Sequence, residues 1–168
     1  MPNWCNISVE ITGPKNKIAD LWTEATVKEG LLEAMAPIGE WQYDTAVEAW
    51  STKWDVSLEG LEFIDNEDGT ASIVGYAVSA WAPPINAFST YALKNEDVYV
   101  EVKYFEPGCD FTGVWDSEGG DAYWEGVGDL LETTQEDDAV LYDLLEHFDV
   151  WSWYDDADYE EEEILVDE

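Results

Sequence analysis

The stretch NISVEIT at residues 6–12 alternates apolar and polar side chains without a break. Because successive side chains of a β-strand point to opposite faces, this alternation predicts a strand that is buried on one face and solvated on the other. The Gly13-Pro14 pair that follows ends the strand. A second alternating stretch, VYVEVKYF at residues 98–105, predicts another strand of the same kind. The two stretches together predict an antiparallel sheet with one covered face.

Helices are predicted where apolar residues recur every three or four positions. This spacing occurs in residues 15–28, 85–93 and 139–148. Further strands are predicted at 53–58 and in a hairpin whose arms, 61–64 and 71–80, flank the turn sequence DNEDG. The segment 31–44 contains a proline and a glycine and is predicted to be irregular.

This order of strands and helices predicts an α+β fold. We expect a ferredoxin-like antiparallel sheet with helices packed on one face, followed by an acidic C-terminal helical extension. The expected division is residues 1–125 for the ferredoxin-like domain and residues 126–168 for the extension. The extension is expected to pack on that domain or to continue it.

The composition combines a very high negative charge with abundant aromatic residues. The 168 residues include 40 acids and 6 Lys, which give a net charge of −34 at pH 7. A disordered chain of this charge would have few aromatics, whereas this one has 10 Trp, 9 Tyr and 5 Phe and is expected to fold. Because Arg is absent and the charge is negative, direct binding of nucleic acid is not expected.

Membrane proteins, exported proteins and metalloproteins are also disfavoured classes. The sequence has no apolar run long enough to span a membrane, and an anionic membrane surface would repel it. The first residues, MPNWC, lack the features of a signal peptide, so we expect a cytoplasmic protein of a bacterial host cell. Cys5 and Cys109 are expected to be reduced thiols, and neither a cofactor nor a metal site is expected.

The acids are concentrated in the second half of the chain. Residues 85–168 have a net charge of −24, compared with −10 for residues 1–84. After Lys103 there are 23 acids, no Lys or Arg, and His147 as the one histidine of the chain. Such carboxylates repel one another at a cost to stability, which suggests that they are retained for binding.

Four ordered motifs carry a resemblance to a known family. They are PNWCN at residues 2–6, WSTKWD at 50–55, AWAPP at 80–84, and YFEPG at 104–108 with FTG at 111–113. Together they resemble the YubB-type ferredoxin-like family of small proteins encoded by plasmids and bacteriophages. The resemblance covers roughly residues 1–125 and departs at Ser51, where the family usually has Gly. It implies a ferredoxin-like fold and an origin on a mobile element, and it supplies no catalytic residues.

The WSTKWD motif and His147 are the two further candidate sites. Lys53 is expected either to form a site with Trp50, Trp54 and Asp55 in which it lies over an indole face as a cation–π contact, or to pair with Asp55 or a neighbour at the start of a strand whose Trp residues fill the core. His147 lies in an acidic segment without a visible nucleophile, so we expect a surface residue rather than a general base. The chain is therefore not expected to be an enzyme.

The charge distribution favours mimicry of nucleic acid. The 23 acids after Lys103 compare with roughly 24 phosphate charges on about 40 Å of duplex DNA. We expect an acidic DNA mimic that binds and inhibits a basic DNA- or RNA-binding host defence protein, such as a CRISPR effector complex, a restriction enzyme or a nuclease. The protein itself is expected to be a monomer or a weak dimer.

Two alternatives stay open at this point. One is an immunity protein that neutralises a basic nuclease toxin, and the other is a metal-dependent enzyme that uses clusters of Asp and Glu. Solubility pressure alone would also produce a generally acidic surface.

The residues expected to contact the partner lie in the C-terminal extension. They are Asp137, Asp138, Asp143, Glu146, Asp149, Trp151, Trp153, Asp155, Asp156, Asp158, Glu160, Glu161, Glu162 and Glu163. Trp151 and Trp153 are expected either to anchor the partner or to dock the extension onto its own domain.

Overall fold

A six-stranded antiparallel sheet forms the centre of the protein. The computed structural model describes residues 3–133 and 138–155. In chain order the strands are β1 (Trp4–Pro14), β2 (Leu61–Asp65), β3 (Thr70–Ala80), β4 (Tyr99–Glu106), β5 (Phe111–Asp116) and β6 (Asp121–Glu125). Their order across the sheet is β2-β3-β1-β4-β5-β6, so β1 is paired on both sides.

Helices connect the strands and follow the last of them. They are α1 (Lys15–Lys28), α2 (Leu31–Met35), α3 (Tyr43–Trp50), α4 (Ile85–Lys94), α5 (Val127–Thr133), α6 (Ala139–His147) and α7 (150–155). Across residues 3–133 and 138–155, no helix is both long and apolar enough to cross a membrane.

The first face of the sheet carries the main core. The apolar side chains of β1, from Cys5 to Ile11, alternate onto this face and are buried. They pack with Ile18 and Leu21 of α1 and with Phe88 of α4 in one apolar cluster. Burial of such side chains is worth about 1.5–3 kcal/mol each, which fixes the register of β1 because a slip by one residue would expose the whole row.

The second face carries a smaller core at one end. Phe105 of β4 pairs with Asn6, so its side chain lies on the face opposite to Ile7. It is fully buried in a cluster with Val127, Leu141, Leu145 and Val150. Helices α5, α6 and α7 therefore pack over this end of the second face, and residues 127–133 and 138–155 are called the C-terminal cap below.

Most of the predicted elements are confirmed, and the fold is α+β with an antiparallel sheet as expected. The helix predicted at 15–28 is α1, and the alternating stretches at 6–12 and 98–105 lie in β1 and β4. The hairpin is β2 and β3, and the segments 85–93 and 139–148 correspond to α4 and α6.

The strand predicted at 53–58 is wrong, because that segment is a loop. Its alternation has another cause. The Asp55 carboxylate accepts hydrogen bonds from the backbone N–H groups of Leu32 and Glu33 and so caps α2, and Val56 is buried in the main core. The prediction that 31–44 is irregular is also wrong in part, because α2 and the start of α3 lie there.

We predict that Phe105→Ala lowers the free energy of unfolding by about 3–5 kcal/mol, because the ring is fully buried beneath the C-terminal cap. Urea denaturation followed by tryptophan fluorescence measures this change. Val27→Ala is the control, since Val27 is 78% exposed and its truncation should change stability by less than about 0.5 kcal/mol. If Phe105→Ala lowers the free energy of unfolding by less than about 1 kcal/mol, Phe105 does not hold the cap on the sheet.

Candidate functional site

The C-terminal cap presents an acidic surface. Asp143 and Glu146 are exposed on α6, and Asp138 begins that helix by accepting a hydrogen bond from the Leu141 N–H. The described residues after Lys103 contain 13 acids and no Lys or Arg. Lys103 itself lies on β4 beneath the cap and pairs with Asp143 at 3.1 Å. The acids of the cap are therefore almost without counter-cations in this part of the chain.

The predicted partner-binding residues divide into two groups. The structure places seven of them in α6, α7 and the segments beside them: Asp138, Asp143, Glu146, Asp149, Trp151, Trp153 and Asp155. The other predicted residues lie outside the described residues: Asp137, Asp156, Asp158, Glu160, Glu161, Glu162 and Glu163.

The acidic surface includes residues that the sequence interpretation left out. Asp129 on α5 is exposed on the cap, and Asp121 and Glu125 on β6 are exposed on the other face of the sheet, because their register partners Trp115 and Phe111 pack on the main core. The sequence does contain a signal for these residues. Lys and Arg are absent from all positions after Lys103, so the acidic region begins well before residue 137. Exposed acids are therefore present on the cap before residue 137 and on the opposite face of β6, outside the C-terminal run on which the prediction concentrated.

The aromatic residues of the cap pack against one another and against the sheet. Trp151 is half-buried and meets Tyr142 edge-on at 5.9 Å between ring centroids. The Tyr154 hydroxyl donates a hydrogen bond to the Asp110 carboxylate, and burial together with this bond raises the pKa of Tyr154. Trp153 packs edge-on against Phe105 at 6.0 Å and still leaves 47% of its side chain exposed. Trp153 can thus support the cap and contact a partner at the same time.

His147 is packed rather than solvated, contrary to the expectation of a surface residue. Its ring stacks on Tyr76 at 5.4 Å and meets Phe148 edge-on at 5.1 Å. Within the described residues its buried Nε2 atom has no hydrogen-bond partner. Burial lowers the pKa of His147, and the positive charge of Lys103 lowers it further, while Asp143 and Glu101 act in the opposite direction.

A second group of exposed residues lies at the end of the sheet where β1 begins and β3 ends. Lys53 Nζ lies 4.2 Å from the ring centroid of Trp54, which confirms the cation–π contact. Trp54 in turn lies 6.0 Å from Trp4, and the Trp41 indole N–H donates to the Lys53 carbonyl. Trp81 follows β3 directly, and its N–H donates to the Asn3 carbonyl. We call Trp4, Trp41, Trp54 and Trp81 the tryptophan patch.

Trp50 differs from these four residues because it belongs to the core. It is buried, and its indole N–H donates to the Ala36 carbonyl at 2.8 Å. Of the two readings of the WSTKWD motif, core filling holds for Trp50 and the exposed cation–π contact holds for Trp54.

The two cysteines are free thiols in different surroundings. Cys5 lies in the main core, and burial raises the pKa of its thiol to about 12. Cys109 is exposed in the turn after β4, where the buried Glu106 carboxylate accepts hydrogen bonds from the Gly108 and Cys109 N–H groups. Glu106 therefore shapes this turn and leaves Cys109 at the surface.

The described residues contain no group of three or more His, Cys, Asp or Glu that could hold a metal ion. A cleft of about 570 Å³ lies beside the end of α4, near Val98 and Trp115. Its lining residues include Ser and Thr hydroxyls and the carboxylates of Glu96, Asp97 and Glu118, and no His, Cys or Lys.

Comparison with known proteins gives no match: no family model, no curated protein and no solved structure is similar to this chain.

We predict that His147→Phe makes the protein less sensitive to acid. The unfolded chain has a histidine pKa near 6.5, whereas that of the folded protein is lower. As the pH falls through 6.5, the unfolded wild type binds a proton that the folded state does not, and stability is lost. Urea denaturation at several pH values should show the free energy of unfolding of the wild type falling relative to that of the variant. Identical pH dependence in the two proteins would contradict this account.

We predict that a thiol reagent at neutral pH modifies Cys109 and leaves Cys5 unmodified in the folded protein, because Cys5 is buried with a pKa of about 12. Mass spectrometry after limited reaction identifies the modified residue. Denaturation in urea should make Cys5 react as well. Rapid modification of Cys5 in the native protein would show that β1 opens readily at its start.

Proposed function

We propose that this protein is an acidic DNA mimic that binds and inhibits a basic DNA-binding host defence protein. The observation that carries the proposal is the exposed acidic layer of the C-terminal cap, whose described residues contain no Lys or Arg, while Lys103 on β4 pairs with Asp143 from beneath. In this role the protein works in the host cytoplasm, needs no cofactor and catalyses no reaction.

The physical basis is charge substitution. Carboxylates on a folded surface replace the phosphates that a basic groove is built to bind. An acidic surface also attracts the positively charged partner over a distance, which raises the association rate at low salt. Because each exposed charge contributes little, affinity is expected to be distributed over many acids.

The packing of the cap supports the proposal because it makes the acidic layer rigid. Leu141 and Leu145 of α6 and Val150 of α7 are buried against Phe105. Their burial fixes the directions in which Asp143, Glu146 and the neighbouring acids point. A preformed charged surface loses little conformational entropy on binding, which favours affinity.

We also propose that residues 1–125 form a ferredoxin-like domain related to the YubB-type family of plasmids and bacteriophages. The strand order β2-β3-β1-β4 supports this, with α1 in the connection from β1 to β2 and α4 between β3 and β4. In this reading β5 and β6 extend the sheet at the β4 edge, and the acidic extension of residues 126–168 includes the cap.

Neutralisation of the cap tests the proposal. We predict that changing Asp138, Asp143, Glu146, Asp149 and Asp155 to Asn or Gln weakens partner binding by about 2 kcal/mol, or about thirtyfold. Asn suits two of these positions well, because Asp138 is a helix N-cap and Asp149 has a positive φ. Partners are captured from a bacterial lysate and eluted with salt. Each eluted partner is then bound to a fluorescent DNA duplex, and release of the duplex is measured when the protein is added.

A control variant removes the same charge elsewhere. Asp20, Glu29, Glu59, Glu67 and Glu96 are exposed outside the cap and are changed to Asn or Gln together. This variant should keep most of the affinity and should still displace DNA. The proposal fails if both variants bind equally well, or if the captured proteins keep their DNA when the protein is bound.

A further inference from the structure

The tryptophan patch is an exposed aromatic surface to which the proposed function assigns no role. The exposed fractions are 46% for Trp4, 49% for Trp41, 40% for Trp54 and 46% for Trp81. Large aromatic side chains are usually covered in a folded protein, and contiguous exposed apolar patches commonly mark interaction sites. We propose that the patch is an anchor that binds arginine side chains of the basic partner. This inference rests on the proposed function and names the chemistry by which the partner is held.

The first argument is the contact already made by Lys53. Its ammonium group lies 4.2 Å from the ring centroid of Trp54, so the negative face of this indole already holds a cation. A guanidinium is planar and more weakly hydrated than an ammonium, and it stacks on aromatic rings more favourably. Arginine from a partner can therefore compete with Lys53 for this face.

The second argument is that the backbone holds the patch in place. The buried Thr52 hydroxyl donates to the Ala80 carbonyl at 2.8 Å, which ties the loop before Trp54 to the end of β3. Trp81 has a φ of 71°, a conformation that is uncommon for a bulky residue and carries strain. Trp4 pairs with Ala80 in the sheet, and the backbone N–H of Trp81, the next residue, donates to the Asn3 carbonyl, so the chain at Trp4 and Trp81 is held at the same end of the sheet.

The third argument is the position of the patch beside the acidic cap. Trp4 shares the second face of the sheet with Asn6, whose register partner is Phe105. Phe105 lies beneath the cap and contacts the half-exposed Trp153. Val78, on the same face, is also exposed. A partner attracted by the acids of the cap therefore meets an aromatic surface next to them.

Charge selects the occupant. Bases of single-stranded nucleic acid also stack on tryptophan, but a chain with a net charge of −34 repels phosphates. A second copy of this chain is an unsuitable occupant because it carries the same charge and contains no Arg. A basic polypeptide that presents arginine meets both requirements, since its charge is opposite and its guanidinium groups fit indole faces.

The experiment compares an oligo-arginine peptide with an oligo-lysine peptide of the same length, titrated into the full chain by calorimetry. The two peptides have equal charge, but a guanidinium also pairs with carboxylates in bidentate fashion, so the share of the arginine preference that belongs to the patch is the share that the tryptophan variants remove. We expect the arginine peptide to bind about five- to tenfold more tightly. Trp54→Ala and Trp81→Ala should each reduce this preference, whereas Tyr123→Ala, an exposed aromatic on β6, should leave it unchanged.

Lysine variants give a second measurement that does not depend on removing an aromatic ring. Lys53→Met removes the resident cation, so we expect the arginine peptide to bind about threefold more tightly. Lys94→Met removes the same charge from an exposed position on α4 and should have a smaller effect. Thermal melting of each variant checks that it is folded.

Several results would overturn the inference. Equal affinity for the two peptides, an unchanged preference in the tryptophan variants, or equal effects of Lys53→Met and Lys94→Met would each do so. Tighter binding of a single-stranded oligonucleotide, or self-association that Trp4→Ala abolishes, would assign the patch to another occupant. A different result would contradict the proposed function: neutralisation of the acids of the cap would leave the affinity for both peptides unchanged.

Discussion

The pairing of β1 with both β3 and β4 is the constraint on which the rest of the structure depends. It places one row of β1 side chains in the main core and the other row on the second face. The same register sets Phe105 opposite Asn6, and Phe105 is the residue around which the C-terminal cap packs. The acidic layer and the tryptophan patch thus take their positions from one central strand.

The sequence patterns predicted the elements whose burial is periodic. The residues of β1, α1 and β4 have one clearly apolar face, so their type could be read from spacing alone. The segment 53–58 misled the same reasoning because the apolar residues of its alternation have different surroundings: Trp54 is exposed, Val56 is buried in the main core, and Leu58 is partly buried against that core. Strands β5 and β6 are short, and the pattern in residues 111–125 gave no comparable signal.

The candidate site could be predicted only in part from the sequence, because some of its features depend on composition and others on contacts between distant residues. Charge is a property of composition, so an acidic C-terminal region was evident from the sequence. The packing of His147 on Tyr76 and the approach of Trp4 to Trp54 join residues far apart in the chain, and no local pattern encodes them. The contact between Lys53 and Trp54 was accessible because the two residues are adjacent.

The acids on the outer strands have a consequence for the behaviour of the protein at high concentration. An edge strand offers unpaired backbone groups to any other strand, and this is a common route to fibrils. Glu62 is exposed on β2, where Asp65 is paired with Lys15, and Asp121 and Glu125 are exposed on β6, so both edges of the sheet carry negative charge. A second copy approaching either edge would bring like charges together. The chain is thereby protected against growing its sheet from one molecule to the next.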